Sequence, residues 1–228
     1  MQTEHQRLIE DVEKLREKGY HKSALELFTE MIEMAKRDHN LEVETSALGH
    51  RIVCNKLMYR HDPNPVYLKK MEEDCLTGIN LPVSDEQRAV FFLRLGDLLE
   101  LKGRFEEAKR QIETAYKYVK KGGIEEVEYL GHLGIALYHT KLKSTAFTIL
   151  ENAINKASKV SDFREFHMLI VLSKINAWLC RVAFVDHSPI AGLKAFCRGY
   201  FQAWKLRIKY KMPERLLEYH NNMFGYFL

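Results

Sequence analysis

The chain has 228 residues, 35 Lys+Arg against 31 Asp+Glu, 46% apolar residues, and only 12 Gly and 5 Pro. That length and apolar share suit one compact domain or one short repeat array, and with 29% charged residues they indicate neither a disordered chain nor a membrane protein.

Taken in chain order, the apolar residues recur at intervals of three and four, which is the helical period. The first predicted helix, 3–18, carries Leu8, Val12 and Leu15; the second, 21–38, carries Ala24, Leu27, Phe28, Met31 and Ile32. Helices 41–60 and 64–78 follow, separated by Pro63 and Pro65. Ser84 and Gln87 have capping-box spacing and open helix 85–101, which carries Leu95, Leu98 and Leu99. Ala108, Ile112 and Ala115 mark helix 105–120, and helices 124–140, 144–158 and 162–185 come next. Ser188-Pro189 reads as an N-cap followed by proline in the first turn of helix 189–210, and helix 213–226 ends the reading. No sustained alternation at period two interrupts these eleven helices, so the expected class is all-α. The short connections favour antiparallel packing of successive helices.

The helix pairs repeat. Phe92, Leu95, Gly96, Leu99, Gly103, Ala108, Ile112 and Ala115 form one copy. Thirty-eight residues on, Leu130, Leu133, Gly134, Leu137, Ala146, Leu150 and Ala153 form another, without a gap. Leu8, Val12, Leu15, Gly19, Ala24, Phe28 and Met31 fit the same frame more loosely. Small residues in both helices of a pair (Gly96 and Ala108, Gly134 and Ala146) allow close approach, and the large residues between them fill the seam. This pattern resembles the tetratricopeptide repeat, W-x2-L-G-x2-Y followed by A-x3-F and P, best at 89–122 and 127–160, moderately at 5–38 and weakly at 41–78. No Trp opens a repeat here, no Pro closes one, and the spacing exceeds the family's usual 34 residues.

The resemblance implies a right-handed superhelical solenoid of antiparallel helix pairs. Residues 1–160 would be the repeats, and 161–228 would continue or cap them in one continuous domain. It also implies a protein- or peptide-binding scaffold with a groove lined by the first helix of each pair. The matching positions are Val90, Leu93, Asp97, Glu100 and Leu101, then Glu128, Gly131, Ile135, Tyr138 and His139, with Gln6, Ile9, Glu13, Arg16 and Glu17 in the N-terminal copy. The Lys and Asn with which the family clamps a terminal carboxylate are missing from these places.

Motifs for phosphate, dinucleotide, zinc-protease, serine-hydrolase or calcium chemistry do not occur, so neither an enzyme nor a cofactor is expected. His132, His139 and His167 are the best metal constellation, but carboxylate or thiolate support at a spacing of three or four is missing. They read as polar, partly exposed groove residues, and no metal is expected. Cys54, Cys75, Cys180 and Cys197 lie in apolar helical contexts without a CxxC pair and read as reduced, buried thiols of a cytoplasmic protein. The longest nearly apolar run, Phe166 to Leu172, is far short of the roughly 20 residues a membrane span needs, and no signal-peptide pattern opens the chain.

Charge is unevenly spread. Residues 1–50 carry 7 basic and 11 acidic side chains, whereas 188–215 carry 7 basic (Lys194, Arg198, Lys205, Arg207, Lys209, Lys211, Arg215) against one acidic. Phe196, Tyr200 and Trp204, four apart, read as a core stripe with the basic residues on the other faces. An acidic protein or peptide is the first alternative use of this basic-aromatic segment, and a nucleic acid the second. No membrane partner is expected. The apolar end Met223–Leu228 has three possible covers: folding back, which is favoured, a homodimer through the C-terminal helices, or a longer chain.

Overall fold

A computed structural model describes residues 4–161, 164–186 and 188–224. Its described residues form eleven α-helices: α1 Glu4–Glu17, α2 His21–Arg37, α3 Leu41–His61, α4 Pro65–Asn80, α5 Asp85–Leu101, α6 Phe105–Tyr118, α7 Ile124–His139, α8 Lys143–Ala157, α9 Glu165–Asp186, α10 Pro189–Lys209 and α11 Glu214–Phe224. The class is all-α, and the helices pack in sequence against their neighbours. Parts of the helices expected at 3–18, 162–185 and 213–226 lie outside the described residues, as do the last four residues of the apolar tail.

Local chemistry sets the boundaries. Asn40 Oδ1 accepts from the Val43 amide at 3.2 Å and Asn64 Oδ1 from the Val66 amide at 3.0 Å, capping α3 and α4. Before α5 the reciprocal capping box forms: Ser84 Oγ accepts from the Gln87 amide, and Gln87 Oε1 accepts from the Ser84 amide, both at 3.2 Å. Ser188 Oγ accepts from the Ala191 amide at 3.4 Å at the start of α10.

One helix ending recurs four times. A residue with positive φ (Gly19, His39, Gly103, Lys141) donates its amide three residues back, and the next residue donates five residues back. Arg104 to Leu99 is 2.8 Å, Leu142 to Leu137 2.9 Å, Asn40 to Ala35 2.8 Å and Tyr20 to Leu15 3.2 Å. These are Schellman endings, which satisfy the last carbonyls and turn the chain back sharply. Gly19, Gly103 and Lys141 occupy the same place in the three best sequence copies.

The chain divides into two compact units, residues 1–98 and 99–228, the division falling inside α5. In the first unit α1 touches α2 and α3, α2 touches α3, and α3 touches α4. Phe28, Ile32, Leu48, Ile52, Met71 and Phe91 are buried. Gly78 gives α4 room for the Phe91 ring, because a Cβ there would lie 2.2 Å from it. In the second unit α7 touches α6, α8 and α9, while α9 also receives α8, α10 and α11. Near residue 160, where the repeat motif fades, α8 packs directly on α9.

Helix α9 is long and apolar enough, by length and composition alone, to cross a bilayer, but 67% of its most apolar stretch is buried inside the protein. The sequence run Phe166 to Leu172 understated it, since small and polar residues such as Ser173 and Asn176 are buried along with the apolar ones. Its Trp178 and Leu179 share the core with Val127 and Leu130 of α7 and Leu150 of α8.

Candidate functional site

The expected groove residues divide by what the fold does with them. On α7, Gly131 is buried against α9: a Cβ there would lie 2.6 Å from Ile175 and 3.3 Å from Trp178. Ile135 is also buried, so neither residue offers surface to a ligand. Glu128 lies 3.6 Å from the Lys174 ammonium and 3.8 Å from His132 Nε2, and Tyr138 carries the Arg181 guanidinium over its ring at 5.3 Å. On α5, Val90, Glu100 and Leu101 are partly exposed, whereas Leu93 and Asp97 are buried. Asp97 binds Lys56 at 2.8 Å and Arg94 at 3.2 Å. In the N-terminal copy Gln6 is exposed and bonds Glu42, Ile9 is buried, and Arg16 joins Glu13, Glu17 and His50 in an ion-pair cluster.

The histidines have separate company. His132 corrects the reading of a partly exposed side chain without carboxylate support: it is buried edge-on to Trp178, with ring centroids 5.1 Å apart, and Glu128, four residues earlier on α7, lies 3.8 Å from its Nε2. His139 stacks on Phe105 at 4.7 Å beside an open cleft of about 510 Å³ formed by the α5–α6 turn, the start of α6 and the α7–α8 turn. Burial, and then the nearby Arg181 charge, push the His139 imidazole down to about 4, so it stays neutral near pH 7. In the cleft wall Arg104 and Glu107 satisfy one another through two hydrogen bonds, 2.7 and 2.5 Å long. His167 is partly exposed on α9.

Three of the four cysteines are buried. Burial pushes the Cys54 and Cys180 thiols up to about 11, and the Cys75 thiol higher still. Cys197 corrects the reading of four buried thiols: it is exposed.

The reason is the orientation of α10, and here the expected core stripe is wrong. The face turned into the protein is Gly192, Ala195, Gly199, Ala203 and Leu206. Phe196 is partly buried, Tyr200 is exposed, and Trp204 is 46% exposed. Small residues win the inward face because α10 lies close to its neighbours. A Cβ at Gly199 would stand 2.4 Å from the Tyr219 ring and 2.9 Å from the Asn176 Cβ. Tyr219 is buried and donates its hydroxyl to the Phe196 carbonyl at 2.9 Å, tying α11 to α10.

The basic segment also divides. Lys205, Lys209 and the Tyr210 hydroxyl all donate to the Glu165 carboxylate at the start of α9. These bonds hold the Glu165 carboxyl down to about 2. Lys194, Arg198, Arg207 and Lys211 are exposed and make no ion pair among the described residues. Reading the sequence missed Glu165, since forty residues or more separate it from its partners. No family model and no curated protein matches the chain.

Proposed function

We propose that this chain is a protein- or peptide-binding module built from helix pairs stacked in the tetratricopeptide manner. The observation that carries the reading is the repeated Schellman turn at Gly19, Gly103 and Lys141, in register with the sequence copies. Two packing patterns support it. Gly134 lies against Leu150 of its paired helix, where a Cβ would be 2.6 Å from Leu150 Cγ, and Gly96 is buried. Within each unit, first helices also touch the first helix of the next pair: α1 with α3, α7 with α9, and α9 with α11. Stacked pairs of this kind present preorganised side chains and bind without ordering themselves. On α7 the groove candidates that stay partly exposed are Glu128, Tyr138 and His139. The mechanism is recognition; no chemical step is assigned.

A nucleic-acid adaptor working through 188–215 is the rival, and the pairing of Lys205 and Lys209 with Glu165 weakens it. Purification from native cells at low and high salt separates the two. A protein recovered in stoichiometric amount at both salts supports the module. Nucleic acid alone, released steeply as salt rises, overturns it.

A further inference from the structure

The outward face of α10 is an apolar seam edged with cations. At 3.6 residues per turn, Ile190, Leu193, Cys197, Phe201, Trp204 and Ile208 share one strip, about 27 Å long, directly opposite the buried Gly192–Gly199–Ala203 face. Ile190, Leu193, Phe201 and Ile208 are each more than half exposed. Lys194 and Arg198 follow one edge and Arg207 the other, and Lys211 lies just beyond the end. No acidic residue occurs between Ser188 and Pro213.

We propose that this face docks an amphipathic helix of a partner protein whose apolar stripe is flanked by Asp and Glu. The proposal rests on the protein-binding reading and names the partner's chemistry. Three observations choose this occupant. The seam advances by three and four residues, the spacing that meshes with another helix, and Cys197 leaves a small gap between Leu193 and Phe201 for a partner's side chain. The three cations on the rim, with Lys211 beyond its end, match carboxylates on a helix lying along the seam. The chain itself displays the contact, since Lys205 and Lys209 on the same helix already receive the Glu165 carboxylate. A second copy fits poorly, because an antiparallel two-fold pairing sets like edges of the helix face to face, and so brings the Lys194, Arg198 and Lys205 edge against the same cations of the other copy. A lipid surface would exploit neither the register nor the gap.

The test is selection from a displayed library of 21-residue helical peptides with randomised flanks, followed by titration of the full chain. Trp204 reports binding, because the other tryptophan, Trp178, is buried. Enriched peptides should carry acids on both sides of an apolar stripe, shift Trp204 emission to the blue, and bind at least ten-fold more weakly to Phe201→Asp and Arg198→Glu. Circular dichroism would verify that both variants fold. Enriched peptides indifferent to both substitutions would overturn the α10 assignment and leave the protein-binding reading standing. A Trp204 shift with phosphatidylglycerol vesicles and no peptide enrichment would overturn both. A shift with protein concentration alone would replace the partner helix with a second copy and so overturn the proposal, and so would a Trp204 that answers to none of these probes.

Discussion

Replacing Gly199 by Ala should destabilise the second unit, although the same change in an exposed helix stabilises it. The helix-propensity gain is about 1 kcal/mol. Against it stands the added Cβ, 2.4 Å from the Tyr219 ring and 2.9 Å from Asn176 Cβ. Asn176 Cβ is fixed to the α9 backbone. Tyr219 is 1% exposed, and its hydroxyl is held by the Phe196 carbonyl, so swinging the ring away forfeits that bond, a net loss of about 1 kcal/mol, along with packing. Overpacking of this kind costs about 1–3 kcal/mol, so the variant should lose up to about 2 kcal/mol net. Urea unfolding followed by circular dichroism measures the loss. In a Tyr219→Leu background, where the ring no longer fills the space, the penalty should shrink, giving a coupling of about 0.5 kcal/mol or more. If Gly199→Ala raises stability by about 1 kcal/mol in both backgrounds, Gly199 does not seat α10, and the outward seam loses its structural basis.

Four further outcomes are expected. Lys141 holds a left-handed φ of 66° where Gly103 sits in the preceding copy, so Lys141→Gly should raise the urea midpoint, by up to about 1 kcal/mol in stability. Glu165 has its carboxyl lowered from 4.5 to about 2, so its stabilisation is present above about pH 4.5 and lost as pH falls to about 2; the melting-temperature gap between the protein and Glu165→Gln should close over that window. His139 is lowered from 6.5 to about 4 by burial and Arg181, so the unfolded chain takes up its proton first and stability should fall from pH 6.5 towards 4, less steeply in His139→Gln; NMR titration of the ring near pH 6.5 would contradict this. Acrylamide should quench Trp204 strongly and Trp178 weakly, so Trp204→Phe should remove most of the accessible emission; equal quenching of the variant would mean α10 is turned the other way.

Helix positions were legible to within a few residues because caps, prolines and three-four spacing are local signals. The α7–α8 seam was legible for the same reason: Gly134, Ala146 and Leu150 sit at fixed motif positions, and the fold brings Leu150 onto Gly134. The orientation of α10 was not. Its aromatic residues at four-residue spacing suggest a core stripe, but Gly192, Ala195, Gly199 and Ala203 form an equally regular small-residue stripe about a quarter turn away round the helix. Close approach to α9 and α11 selects the small face, and the sequence of one helix does not record how near its neighbours come. Burial of Gly131 and Ile135 beneath α9 was hidden likewise, because a motif position marks a side of α7 and does not tell what covers that side. The Glu165 cluster depends on bringing the start of α9 beside the end of α10, a long-range consequence of antiparallel pairing. What could have been noticed is the charge bookkeeping: a segment with seven cations and one acid invites a carboxylate from elsewhere in the chain.

The most direct test of the central claim is the mass and composition of the complex recovered from native cells, measured by light scattering with ultraviolet absorbance. A protein-binding module should elute with a second protein in a fixed molar ratio and with a protein-like absorbance spectrum at both low and high salt. Elution as the bare chain under all conditions, or with a nucleic-acid spectrum that vanishes as salt rises, would contradict it.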